Sequence, residues 1–291
     1  MEPEMNGPPP ISDRTAAALR LCAHQELLIA LRSRWTQIFA LVFAALALAV
    51  AASGYVLSGG SGMQDFARTS VSLVQLVILL VPLTSLLIGV LALAPERGAA
   101  ELLFSQPVAR RTILLGKLLG LFAALAGAQA LGFGAAGVVL FTQAGGGGAG
   151  EFLLLVLGSF LLTAVFLGLA ALIASGAVGQ RRARALALAL VVWFVVVLLF
   201  DVAALGLASL LPSGSASRLL IVAVLINPAD AIRTGTLLGI EGTTAFGAAS
   251  LAFLRFTRGT GGAIALLSAS ILLWILVPPY LAGRRLTKTD I

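Results

Sequence analysis

Charged residues are scarce in this chain of 291 residues: Asp, Glu, Lys and Arg together make up 11% of it, and 59% of the residues are hydrophobic. Soluble domains carry about 25% charged residues, so this composition does not supply enough polar side chains for a water-facing surface. The scarcity of charge excludes an ordinary soluble domain. It predicts an all-α membrane protein that is solvated mainly by lipid.

Metal-binding and catalytic side chains are scarce as well. Cys22 and His24 are the single cysteine and histidine, and Met63 is the one methionine outside the N-terminal tail. One cysteine excludes an intrachain disulfide and a cysteine-based metal cluster. Cu(I) prefers sulfur ligands, which the apolar segments lack, so we expect no passage of a bare copper ion. Because no catalytic or metal-binding constellation is visible, we expect that this chain is not an enzyme and binds no cofactor.

Six apolar windows are long enough to cross a bilayer, which takes about 20 residues of helix. They cover residues 35–57, 70–94, 113–142, 152–178, 185–211 and 262–283. Fourteen basic residues fall on one side of this predicted arrangement and five on the other. The positive-inside rule places the richer side, and both termini with it, in the cytoplasm. The net charge of +7 therefore reflects membrane topology, and we expect no nucleic-acid binding.

A seventh apolar run, Leu219–Ile226, is too short to cross, because eight residues of helix rise only about 12 Å. It ends at the sequence Asn227-Pro228-Ala229-Asp230. We interpret the run as an interfacial or re-entrant helix on the extracytoplasmic side.

Residues 1–12 are polar and rich in proline, and we expect a disordered cytoplasmic tail there, followed by a membrane domain over residues 13–291. An amphipathic helix begins the domain, with Ser12 or Asp13 as its N-cap. We expect it to lie on the cytoplasmic leaflet, with Glu26 on a polar face. Its apolar face is predicted to contain Leu19, Cys22, Ala23, Leu27, Ala30 and Leu31.

Two groups of residues are candidates for function. After the second window, Glu96–Phe104 is predicted to form a short exposed helix that stops before Pro107; the alternative is an ordinary charged connector. The second group begins with Asp201, the one clear acid inside a predicted span, where an ionised side chain is costly unless it is paired or hydrated. The alternatives for Asp201 are to line a cavity, to pair with Arg233 or Arg218, or to extend to the outer surface.

Further residues belong to the second group. Asp230 and Arg233 are one helical step apart, and the alternative to a functional role is a local pair in a capped helix after Pro228. The second group therefore consists of Asp201, Asn227, Pro228, Asp230 and Arg233.

The loop after the second window resembles the conserved cytoplasmic loop of ABC-2 type permeases. The resemblance rests on Glu96-Arg97-Gly98, Glu101-Leu102-Leu103, Pro107-Val108-Ala109-Arg110-Arg111 and Leu115-Gly116-Lys117. It implies a fold like that of type V exporters, with six spans, an N-terminal elbow helix and a cytoplasmic coupling helix in this loop. The residues to which it assigns contact with an ATPase are Glu96, Arg97, Glu101, Leu102 and Leu103.

A narrower resemblance is to the NosY group of these permeases, which are the membrane subunits of NosDFY transporters for nitrous oxide reductase maturation. It rests on Trp193-Phe194, Phe200-Asp201 and Leu225–Asp230 with Arg233. It implies an inner-membrane complex of two copies of this chain with a NosF-like ATPase and a NosD-like periplasmic protein. The sequence holds no GxxxxGK[ST] phosphate loop, so ATP and Mg²⁺ are expected on the partner ATPase.

Two mechanisms remain open for such a complex: export of a small, for example sulfur-containing, species, and mechanical transmission to the periplasmic partner. The scarcity of ligands in the spans favours mechanical transmission. The alternative functions are a general ABC-2 exporter of drugs, lipids or polysaccharide, and a membrane scaffold that transports nothing. Close helix packing is expected at the GxxxG spacing of Gly116 and Gly120, continued by Ala124 and Gly127.

Overall fold

A computed structural model of the chain describes residues 11–58, 62–94, 109–144, 148–176, 181–242, 253–257 and 259–288. These residues form helices and their connections, with no strand among them. Residues 1–10 of the predicted tail lie outside the described residues. So does the predicted coupling segment, with Glu96, Arg97, Glu101, Leu102 and Leu103.

Ten α-helices are defined within the described residues. They are α1 (Ile11–Arg32), α2 (Arg34–Ser58), α3 (Gly62–Leu93), α4 (Arg110–Ala144), α5 (Ala149–Ala174), α6 (Arg182–Trp193), α7 (Phe200–Ser209), α8 (Ser213–Ile226), α9 (Pro228–Glu241) and α10 (Thr260–Lys288). A π-helical segment, Phe194–Leu199, joins α6 to α7 without a break. The sequence had predicted one continuous α-helix there.

Among the described residues, six helical stretches are long and apolar enough to cross a membrane, which confirms the predicted number of spans. They are Arg34–Ser53, Thr69–Leu93, Arg110–Thr142, Ala149–Ala174, Arg182–Ser209 and Thr260–Thr287. Each end lies within four residues of the predicted window. The fifth span contains α6, the π-helical segment and α7.

Helices α4 and α5 form the centre of the bundle. Helix α4 packs against α1 and α2, and α5 packs against α3, α9 and α10. Half of the residues in the apolar windows of the second, third and fourth spans are buried, compared with 11% in the fifth and sixth. The fifth and sixth spans therefore present broad apolar surfaces for lipid or for another protein chain.

A buried polar network joins α4 to α5. Gln129 Nε2 donates to Thr163 Oγ1 over 2.7 Å, and Ser159 Oγ donates to Gln129 Oε1. All three side chains are fully buried. A polar side chain in a lipid-solvated bundle is stabilised by a partner on a neighbouring helix, so this network fixes the register of the two central helices.

Helix α1 packs against the predicted GxxxG positions of α4. A Cβ atom on Gly116 would lie 2.5 Å from Cys22 Cβ, and one on Gly120 would lie closer than 3.0 Å to backbone atoms of Ala23 and Leu27. The order of these contacts shows that the two helices run in the same direction. The predicted close approach of helices is confirmed at Gly116 and Gly120, with α1 as the partner, and is wrong at Gly127, where nothing lies within 4 Å of a Cβ position.

The prediction for Glu26 was wrong. Glu26 is 5% exposed and forms a salt bridge of 3.3 Å with Lys117 on α4. It shares the inward face of α1 with Ala23 and Leu27, whereas Leu31 is 47% exposed. The opposite charge on α4 makes this burial possible, and helical periodicity alone did not reveal it.

Helices α8 and α9 form a re-entrant hairpin. They meet at Asn227 with a bend of 102°. Helix α8 begins four residues after α7 ends, and α9 runs back until Gly239 packs against Leu154 near the start of α5. The hairpin therefore enters and leaves at the same face. This agrees with the re-entrant interpretation of Leu219–Ile226 and keeps the number of spans at six.

We expect Gly120→Val to separate α1 from α4, because its side chain would collide with backbone atoms of α1. Overpacking of this kind costs about 1–3 kcal/mol, which would appear as a lower melting temperature of the protein in detergent. Gly127→Val is the matched control on the same helix, since nothing lies within 4 Å of its Cβ position. Equal melting temperatures for both variants would contradict the tight packing at Gly120.

Candidate functional site

The bend between α8 and α9 is set by the local sequence. Asn227 is the N-cap of α9, and its side-chain oxygen accepts a hydrogen bond of 3.0 Å from the backbone N–H of Ala229. Pro228 occupies the first helical position, where its missing N–H has no cost. Proline also disfavours helical geometry at the residue before it, so α8 ends at Asn227 and a new helix begins.

Three side-chain hydrogen bonds connect this bend to the fifth and sixth spans and hold it in place. Asn227 Nδ2 donates over 2.8 Å to the carbonyl of Val196, within the π-helical segment. On α10, Ser270 Oγ donates to the carbonyl of Leu225 over 2.6 Å, and Trp274 Nε1 donates to that of Ile226 over 3.1 Å. The carbonyls of Leu225 and Ile226, at the C-terminal end of α8, are thereby paired.

The bend lies level with the middle of both neighbouring spans. Val196 and Trp274 are each the fifteenth of the 28 residues in their span. With a rise of 1.5 Å per residue, both lie about 20 Å from either end. The hairpin therefore reaches half-way through the bundle and carries the polar groups of α9 to that depth.

An ion pair joins the fifth span to the hairpin. Arg233 Nη1 lies 3.2 Å from Asp201 Oδ2, and the two side chains are 36% and 39% exposed. Among the alternatives for Asp201, the structure shows pairing with Arg233. The pair is not enclosed within the chain, so a part of it faces whatever covers α7.

Asp230 lies beneath this ion pair and is 9% exposed. Its Oδ2 accepts a hydrogen bond of 2.8 Å from Asn227 Nδ2. We call Asp201, Asn227, Asp230 and Arg233 the polar cluster.

Small residues allow α9 to approach the centre of the bundle. A Cβ atom on Gly158 of α5 would lie 2.5 Å from Thr236 Oγ1, and one on Gly239 would lie 2.7 Å from Leu154 Cδ1. The cluster is therefore attached to α5 on one side and to the fifth span on the other. A displacement of α9 would alter both contacts.

A second group of polar contacts lies at the opposite end of the bundle. Lys117 Nζ reaches the carbonyl of Ala92 over 3.4 Å, and Arg182 Nη2 reaches that of Leu91 over 3.2 Å. Both carbonyls belong to the C-terminal end of α3, where a positive charge is favourable.

Two further arginines act in the same way on other helices. Arg110 Nη1 donates to the carbonyl of Leu286 on α10 over 2.8 Å, and Arg285 Nη1 lies 3.4 Å from that of Leu172 on α5. These contacts bring basic residues from three separate stretches of sequence to one end of the bundle. We call the end defined by Arg110, Lys117, Arg182 and Arg285 the basic face.

The structure gathers all five candidates of the second group at one place, since Pro228 is buried beside the cluster. The first group, in the segment 95–108, lies outside the described residues, so its assignment stays a prediction. Lys117 follows that segment in the sequence. It contacts Ala92, which comes just before the segment, and Glu26 on α1.

Sequence reasoning missed the π-helical segment and the donors Ser270 and Trp274. Nothing in Phe194–Leu199 distinguishes it from ordinary apolar helix. Ser270 and Trp274 do carry a signal, because they are four residues apart on a largely apolar span and so share one face. That spacing predicts a common target without identifying it.

Comparison with known proteins identifies relatives of this chain. The profile of the family described as ABC-2 family transporter protein matches residues 21–291. Two curated relatives, from Stutzerimonas stutzeri and Pseudomonas aeruginosa, are each named a probable ABC transporter permease protein NosY. Each is 36% identical to this chain over 236 residues, which cover 79% of this chain and 85% of the relative.

Variants of Asn227 separate its role as a helix cap from the hydrogen bonds that its amide donates. Asn227→Ser keeps a cap acceptor but lacks the amide that donates to Val196 and Asp230, and Asn227→Ala loses the cap as well. Losing the cap costs about 1 kcal/mol, and leaving a buried carbonyl unpaired costs about 1–3 kcal/mol. We expect melting temperatures to decrease in the order wild type, Asn227→Ser, Asn227→Ala. A serine variant as stable as the wild type would show that the bonds to Val196 and Asp230 contribute nothing.

Proposed function

This multi-pass chain belongs to the ABC-2 family of transporter proteins, and from that premise we propose that it couples ATP hydrolysis by a separate ATPase to work on the far side of an inner membrane. The work is mechanical transmission to an extracytoplasmic partner in the maturation of the copper site of nitrous oxide reductase. The observation that carries the proposal is the re-entrant hairpin, whose bend is hydrogen-bonded to the middle of both the fifth and the sixth span.

Energy enters at the basic face in this proposal. The segment 95–108 links α3 to α4 and is assigned to contact a NosF-like ATPase that holds ATP and Mg²⁺. Lys117 ties the helices on both sides of this segment to α1, through Ala92 and Glu26. A push on the segment would therefore move α1, α3 and α4 together, with both termini on the cytoplasmic side.

Force leaves through the hairpin. Helices packed side by side transmit displacement because their contacts have few alternative arrangements. A shift of the fifth span relative to α5 would pull Val196 and Asp201 away from Asn227 and Arg233, and α9 would have to follow. The C-terminal end of α9, near Gly239, would then move relative to the start of α5. This end is the surface that we propose contacts a NosD-like periplasmic protein.

Metal chemistry supports the mechanical interpretation over passage of copper. Cys22 packs against α4 through Gly116, and His24 is exposed on α1. The sequence has no other cysteine or histidine. Cys22 and His24 therefore lie on one helix at the N-terminal end, and Met63, the one methionine outside the tail, lies at the start of α3 before the second span, so the six spans lack the sulfur and imidazole ligands that copper prefers.

A second copy of this chain fits beside the fifth span. Charged groups at membrane depth face a bundle interior or water and not lipid, yet more than a third of the Asp201 side chain is exposed. Only 11% of the residues in the apolar window of that span are buried within one chain. A homodimer that covers α7 would shield the ion pair from lipid. In such a dimer the polar cluster would lie at the interface between the two copies.

We expect Asp201→Asn to leave ATPase binding intact and to impair maturation, because an amide leaves the charge of Arg233 without its counter-ion. Co-purification measures the first effect, and the copper content of nitrous oxide reductase from the same cells measures the second. Arg218→Gln is the control, since it removes an exposed charge from the same hairpin. Full assembly of the reductase with Asp201→Asn would refute a role for the ion pair.

Glu101→Ala and Arg97→Ala test the proposed entry of energy. Each removes a charged contact expected with the ATPase, so we expect less ATPase in the purified complex or a loss of the ATPase rate that depends on this chain. Arg255→Ala is the control for Arg97→Ala, since it removes the same charge from an exposed site outside the segment. An unchanged complex with unchanged coupling would contradict the assignment of this segment to the ATPase contact. It would favour the alternative of a membrane scaffold that transports nothing.

A further inference from the structure

A groove of about 460 Å³ lies between α4, α5 and α10, apart from the polar cluster. Its floor consists of buried apolar side chains, among them Leu114, Leu118 and Leu167. Its walls are exposed: Leu119 of α4 is 50% exposed and Leu276 of α10 is 64% exposed. The groove therefore opens sideways, on the surface that a bilayer would cover.

The shape of the groove is fixed by small and rigid residues. Pro279 of α10 packs against α5 at Gly168, where a Cβ atom would lie 3.0 Å from Pro279 Cδ. Along α4 the lining runs from Arg111 to Phe122, which is about 17 Å at the rise of an α-helix. The result is a narrow apolar channel with the length of a lipid tail segment, parallel to the spans.

One end of this channel is positively charged. Arg111 lines the groove at the start of α4, and its side chain lies along Gly283 of α10, within 3.3 Å of where a Cβ atom would be. Arg284 lies over the ring of Tyr280, 5.8 Å from its centroid. Among the described residues, no acidic side chain forms a salt bridge with either arginine. The charge at this end therefore lacks a counter-ion within the described part of the chain.

The geometry points to a binding site for one anionic phospholipid of the leaflet at the basic face. Its phosphate would lie against Arg111 and Arg284, and one acyl chain would occupy the channel towards Phe122. Basic pockets between helices at this level attract anionic head groups, and the apolar lining favours a hydrocarbon tail over water. The site commits to an anionic lipid because the choline cation of a zwitterionic head group would offset the attraction between its phosphate and the two arginines.

Lipid crosslinking tests this site directly. The full-length chain is placed in nanodiscs of phosphatidylcholine that contain a small fraction of phosphatidylglycerol with a photoreactive acyl chain, and the labelled peptides are mapped. We expect labelling within residues 114–122 and 275–283. The matched probe is phosphatidylcholine with the same photoreactive chain, and we expect roughly fivefold less labelling with it, as one charge contact of about 1 kcal/mol implies.

Two variants separate the head-group contact from the channel. Arg111→Gln should remove the preference for phosphatidylglycerol, and Ala164→Phe should block the channel and reduce labelling by both lipids. Arg218→Gln and Val138→Phe are the controls for charge and for bulk, since both residues are exposed elsewhere. Equal labelling by the two probes in the wild type would overturn the proposal. So would unlabelled groove peptides, which would show that another part of the chain or a second copy fills the groove.

Discussion

Backbone carbonyls at helix ends must find hydrogen-bond donors in a protein whose surroundings are mainly lipid, and this requirement organises the whole bundle. At the bend between α8 and α9, Ser270 and Trp274 pair the carbonyls of Leu225 and Ile226. At the basic face, arginine and lysine side chains do the same for α3, α5 and α10. In lipid an unpaired group costs several kcal/mol, so these four helix ends depend on side chains from other helices.

The same constraint explains why the candidate site is where it is. A helix cannot stop at mid-membrane unless polar groups are carried there, and the polar cluster supplies them. Asn227 alone caps α9, donates to Val196 and donates to Asp230. The features that make the bend possible are therefore the ones that join the hairpin to the fifth span. The structural roles of these residues, and the functional roles proposed for them, follow from one arrangement.

Charge has two consequences in this chain. The distribution of basic residues along the sequence predicts which loops share a side of the membrane, and the structure adds that four of these residues also pair helix C-termini. Glu26 shows the limit of reasoning from periodicity. A carboxylate is normally placed on the polar face of an amphipathic helix, but Lys117 on α4 stabilises it within the interface.

The sequence by itself determined the six spans, the basic side, the re-entrant interpretation of Leu219–Ile226 and the residues of the candidate cluster. Each of these depends on local properties: the length of apolar runs, the positions of charges and the conformational preferences of Asn-Pro. The tertiary structure alone decided that Asp201 pairs with Arg233, that Val196 lies in a π-helical segment and that α1 is the partner of Gly116 and Gly120. These contacts join residues far apart in the chain. Their formation depends on how whole helices pack, which no local pattern specifies.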